Sequence, residues 1–138
     1  MMTYERRRVL MTGGGLYRVF KEGIARINGE ITRSYGLTVG NRIVVEAGGY
    51  LSVKMDFTPY KTLNFELSMM MDTETNGISF GYGDSDTTFL ANETKNTAEE
   101  SVKSFDISKV NGERYINIKN SDAVGNTSAY IYNIWLGV

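Results

Sequence analysis

Two stretches of the chain alternate apolar and polar residues with a period of two. Leu51, Val53, Met55 and Phe57 alternate with Ser52, Lys54 and Asp56; Leu63, Phe65, Leu67 and Met69 alternate with Asn64, Glu66 and Ser68. Successive side chains of a strand point to opposite faces, so such a run puts one face in a core and the other in water, as antiparallel sheets do. Ile78, Phe80 and Tyr82 repeat the pattern against Ser79, Gly81 and Gly83. Further strand-like runs lie at 16–20, 24–27, 31–35, 42–46, 102–107 and 114–119. The closing run from Ala129 to Leu136 is apolar on both faces, with Tyr130, Tyr132, Ile134 and Leu136 on one and Ile131 and Trp135 on the other. That is the pattern of a central strand, or of one whose second face a partner covers, and it places Trp135 in a core or an interface. No amphipathic segment of about 10–15 residues separates the runs, which excludes an alternating α/β architecture. The chain is therefore expected to be all-β, an antiparallel β-sandwich of jelly-roll type with roughly nine or ten strands.

Three Asn-Gly pairs, Asn28-Gly29, Asn76-Gly77 and Asn111-Gly112, stand between apolar-rich runs. Asn-Gly accepts positive φ at both central positions of a type I′ turn, so each is expected to close a hairpin. Only residues 3–11 read as helical, with Thr3 as N-cap and Glu5 in the first turn; Gly13, Gly14 and Gly15 end that segment and form a hinge. The expected organisation is an N-terminal arm, short or helical, over 1–15, followed by one β-sandwich domain over 16–138.

The chain holds neither Cys nor His. This removes disulfides, thiolate sites, cysteine nucleophiles, Ser-His-Asp triads and the usual zinc ligand. A net charge of −1 gives no general affinity for nucleic acid. The charge is unevenly spread: residues 1–33 carry seven basic and three acidic groups, and residues 72–100 carry seven acidic groups and one base, Lys95. Opposite ends of opposite sign suit head-to-tail contacts between copies, or docking of the basic end on an acidic neighbour, so a homo-oligomer or a complex with another protein is expected. No apolar run approaches the roughly 18 residues of a membrane span. After Arg6-Arg7-Arg8 only Val9, Leu10 and Met11 are apolar, too few for the roughly 7–15 residues of a signal-peptide core, so synthesis in a cytoplasm is expected.

Four constellations bear on chemistry. Asp84 and Asp86, in Gly81-Tyr82-Gly83-Asp84-Ser85-Asp86, are oxygen ligands at a spacing that suits a structural calcium ion, without the longer pattern of an EF-hand loop. Glu46 and Glu66 are candidates for the paired acids of glycoside hydrolysis, a reading that also needs a cleft. Tyr50, Tyr60 and Tyr82 lie near strand ends, where exposed rings can stack on the C–H faces of sugars. Tyr4, Arg6, Arg7, Arg8, Leu10 and Met11 mix charge with apolar bulk, as does an arm seated in a partner's groove. The glycine-rich stretches are not phosphate loops, because no Lys-Ser or Lys-Thr follows them. No residue is singled out as catalytic.

Several segments together resemble small phage and prophage virion-associated proteins of Gram-positive bacteria. The similar segments are Glu5 to Met11 (E-R-R-R-x-L-M), Leu16 to Gly23, Asp56 to Leu63, Phe105 to Ser108, Gly112 to Ile118 and Ala129 to Leu136. The turn after Gly23 lacks that family's G-G-W. The resemblance implies a carbohydrate-binding-module-like jelly roll and a non-enzymatic structural role in a virion: tail, baseplate, neck or capsid decoration. It implies other virion proteins as partners and host-surface glycan adhesion as a further role. A free-standing carbohydrate-binding module is the alternative, and a glycan hydrolase ranks third.

Overall fold

The computed structural model describes residues 15–70, 77–121 and 127–138. The arm, including Tyr4, Arg6, Arg7, Arg8, Leu10 and Met11, lies outside the described residues. Among the described residues nine strands follow in order: β1 (Leu16–Lys21), β2 (Glu30–Val39), β3 (Ile43–Asp56), β4 (Thr62–Met70), β5 (Ile78–Gly83), β6 (Ala91–Lys95), β7 (Ser101–Asp106), β8 (Glu113–Asn120) and β9 (Ser128–Gly137). All pairings are antiparallel.

The runs at 42–46 and 51–57 belong to one long strand, β3. Its first half pairs with β9 and its second half with β8. β2 follows it along both halves, with a register shift between Tyr35 and Leu37. The crossing point is glycine-built. A Cβ on Gly49 would lie 2.7 Å from the Gly36 carbonyl oxygen, and both Gly36 and Gly48 have positive φ, at 60° and 76°. Here the ladder folds over on itself. The front sheet runs β6-β5-β8-β3 with the first half of β2; the back sheet runs β7-β4-β9, with β1 and the first half of β3 both flanking β9.

The alternating runs supply the layer between the sheets. Leu51, Val53, Ile78, Phe80, Ile116 and Ile118 come from the front; Leu63, Phe65, Leu67, Ile131, Ile134 and Leu136 come from the back, and all are buried. Across the gap Phe65 meets Phe80 edge-to-face with centroids 5.0 Å apart, and Phe105 meets both rings. Apolar burial of this kind contributes about 25 cal/mol per Å², and offset or tilted aromatic pairs add about 0.5–1.5 kcal/mol each.

Three expectations are corrected. None of the Asn-Gly pairs closes a hairpin, because the strands on either side do not pair with each other: β1 with β9 but β2 with β3, β4 in the back sheet and β5 in the front, β7 back and β8 front. Asn76 is outside the described residues, but Gly77 and Gly112 both have φ of 87°. These two glycines stand just before β5 and β8, at the entry to the front sheet. The 24–27 run is loop, with Ala25 at φ 62°. A bulge in β9 beside Glu66 and Leu67 breaks the alternation at Tyr132. Ala129, Ile131, Ile134 and Leu136 therefore face the core, while Trp135 lies half-buried on the back sheet's outer face, opposite Arg18 and Asn64. β9 is central, as its composition implies.

Candidate functional site

The outer face of the front sheet follows from register. One row across the strands is Tyr35, Tyr50, Lys119 and Ser79; the next is Arg33, Ser52, Asn117 and Gly81. Tyr35 and Tyr50 are stacked, with centroids 5.7 Å apart and planes 26° from parallel. The Arg33 guanidinium lies over the Tyr50 ring, 4.2 Å from its centroid. Tyr35 is 64% exposed, so its outer surface faces water.

The segment after β5 returns across this face. Gly81 and Gly83 stand where outward side chains would otherwise rise: a Cβ on Gly81 would come within 2.0 Å of the Ala91 carbonyl oxygen, and one on Gly83 within 1.9 Å of that of Thr88. Glycine is therefore required here for backbone approach. Buried Asn117 donates its amide hydrogens to the carbonyls of Ser85, at 2.9 Å, and Thr88, at 2.7 Å. The Ser52 hydroxyl and Arg33 Nη1 both donate to the Asp86 carbonyl at 3.0 Å. Four side-chain hydrogen bonds pin the 84–90 loop over half of the face and leave the tyrosine row beside it. Between them lies a cavity of about 340 Å³ lined by Arg33, Gly48, Tyr50, Asp86, Thr87, Phe89 and Lys119, among others. That volume is at the small end for ligand sites.

Of the three tyrosines proposed from sequence for a sugar platform, only Tyr50 lies on this face. Tyr60 and Tyr82 are core residues, 3% and 9% exposed, with Tyr60 near Tyr17 and Tyr82 edge-on to Phe57 and Phe105. Tyr82 shares the inward parity of Ile78 and Phe80. Tyr35, whose only sequence signal is that it ends the 31–35 run, is the ring that joins Tyr50. The Asp84 carboxylate is 3.0 Å from Arg114 Nε, and the Asp86 backbone carbonyl accepts from Arg33 and Ser52. Among the described residues no three acidic side chains converge on a metal position.

Glu46 and Glu66 sit on the back sheet at different registers, opposite Ser128 and Asn133 respectively, and each accepts a hydrogen bond from the residue opposite. A hydrogen bond to Glu66, followed by burial and the charges of Glu66 and Glu22, holds the Glu100 carboxyl above its ordinary range. A group whose folded pKa is raised contributes stability that is present at low pH and lost as pH rises through the raised value. Glu66→Gln removes the repulsion. From about pH 4 to about pH 7 the thermal midpoint of the variant is expected to rise relative to that of the parent. Parallel midpoints across that range would exclude the coupling.

Among solved structures the chain is similar to a family 29 carbohydrate-binding module variant, with TM-score 0.61 and 14% identity over 88% of this chain and 91% of that one. A family 29 module from Piromyces equi matches with TM-score 0.55 and 16% identity over 88% of each chain. A family 36 module in complex with calcium and xylotriose matches with TM-score 0.51 and 13% identity, over 87% of this chain and 96% of that one. The fold is that of the carbohydrate-binding-module β-sandwiches. No protein-family model matches the chain, and no curated protein matches it.

Proposed function

We propose that this protein is a non-catalytic carbohydrate-binding module that takes a glycan chain across the outer face of the front sheet. The observation that carries this reading is the stacked Tyr35–Tyr50 pair, Tyr35 exposed and Tyr50 half-buried, beside a cavity with Arg33, Lys119 and Asp86 at its wall. An aromatic face offers an apolar, weakly negative surface to the C–H face of a pyranose ring, while nearby polar groups orient its hydroxyls. The fold supports the reading, since solved structures of the same architecture include modules complexed with cellulohexaose, mannohexaose and xylotriose. The 84–90 loop, fixed by Asn117, Ser52 and Arg33, acts as one wall of the cleft. Binding then needs little loop ordering, which lowers its entropic cost.

The virion reading rests on the resemblance, whose opening motif lies outside the described residues, and the solved structures with this fold favour the free-standing module over it. A role in a particle, attachment through the arm and self-association remain proposals about residues 1–15 and the two charged regions. The test of the module reading is calorimetric titration with a panel of soluble polysaccharides, for the parent and for Tyr35→Ala. Because Tyr35 is exposed, its truncation should leave the fold intact and weaken binding about tenfold or more. Equal affinity in the two proteins would remove the tyrosine pair from the site. Absence of binding across the panel would overturn the module reading.

A further inference from the structure

We infer that the cleft selects a glycan bearing an acidic substituent; the inference rests on the module reading and specifies its ligand. Two cations line the cavity, Arg33 and Lys119, and neither has an acidic partner among the described residues. Lys119 stands directly across from Tyr50 in the β3–β8 register, and Arg33 lies on the ring of the same tyrosine. A sugar seated on the exposed surface of Tyr35 is thus bordered by Arg33, against the adjoining Tyr50 ring, and by Lys119 on the strand beyond it.

The surrounding acids are mostly neutralised. Asp84 is paired with Arg114 and Glu113 with Lys54, and among the described residues Asp86 is the one acidic side chain in the cavity wall. Arg33 is also held in place. One of its nitrogens donates to the Asp86 carbonyl and its Cζ lies over the Tyr50 ring, leaving the remaining donors for an incoming group. A guanidinium fixed in this way matches the geometry of a carboxylate, sulfate or phosphate, and its entropy of ordering is already lost before the ligand arrives. Lys119 adds a mobile point charge on the other side of the ring. Neutral sugars use neither feature fully.

The experiment is titration of the full chain with tetragalacturonate, with its methyl ester, and with an oligosaccharide of neutral sugars of similar length in its sulfated and unsulfated forms. Tetragalacturonate is expected to bind about tenfold more tightly than its ester, and to weaken as salt rises from about 50 mM to about 500 mM. Lys119→Gln is expected to reduce the tetragalacturonate affinity and flatten its salt dependence. Comparable binding of the sulfated ligand would show that charge is read; its exclusion would narrow the selection to the planar carboxylate. Equal affinity for acid and ester, or binding of neutral oligosaccharides alone, would overturn this inference and leave the module reading standing. Failure of every saccharide, charged or neutral, would overturn both.

Discussion

Phe65→Ala is expected to destabilise the protein by about 3–5 kcal/mol, the range for removing a buried phenylalanine and leaving a cavity. Phe65 is fully buried at the centre of the layer between the sheets, where its ring meets Phe80 from the front sheet and Phe105 from the neighbouring strand. Truncation removes both edge-to-face contacts, and β4, paired on both sides with β7 and β9, is poorly able to collapse into the space. For a domain of this size each kcal/mol moves the thermal midpoint by roughly 3–5 °C, so a fall of roughly 10–20 °C should be recorded by calorimetry. A loss below about 1 kcal/mol would mean that the two sheets do not meet through this residue.

Gly83→Ala should act on the site more than on the core. The added methyl would fall 1.9 Å from the Thr88 carbonyl oxygen, so either β5 or the loop must move. β5 is paired with β6 on one side and β8 on the other, whereas Thr87 and Thr88 are exposed and the loop is held chiefly by side chains. The loop should therefore lift, releasing the Asn117 clamp and removing one wall of the cavity. We expect a stability loss of about 2 kcal/mol, new proteolytic cleavage within 84–90, and glycan affinity reduced about tenfold. An uncut loop with undiminished binding would contradict the role given to this glycine.

The architecture was legible where burial imposed a period. The runs at 51–57 and 63–69 read correctly because their apolar residues all point into one layer. β6 did not, since Ala91-Asn92-Glu93-Thr94-Lys95 is a polar edge strand with no apolar stripe to betray it. The Asn-Gly pairs signalled positive φ at Gly77 and Gly112, but local sequence does not say which sheet the next strand joins. The site was half legible for a related reason. Tyr50 could be picked out as an aromatic near a strand end, but its stacking on Tyr35 depends on a register interrupted by a bulge and a glycine crossing. Gly81 and Gly83 read as parts of an acidic cation loop, whereas their structural use is to let backbone lie flat on the sheet. Position near a strand end does not fix parity, and Tyr60 and Tyr82 are core residues; for Tyr82 the alternation with Ile78 and Phe80 already points inward.

Ligand is proposed to bind on the outer face of the front sheet. The most direct test of that placement is amide chemical-shift mapping of the isotopically labelled chain during titration with a bound oligosaccharide. The account predicts that the shifted amides cluster at 33–36, 48–52, 85–90 and 117–119, which meet around the tyrosine pair and the loop. Shifts confined to the back sheet's outer face, around Tyr130, Tyr132 and Trp135, would contradict it.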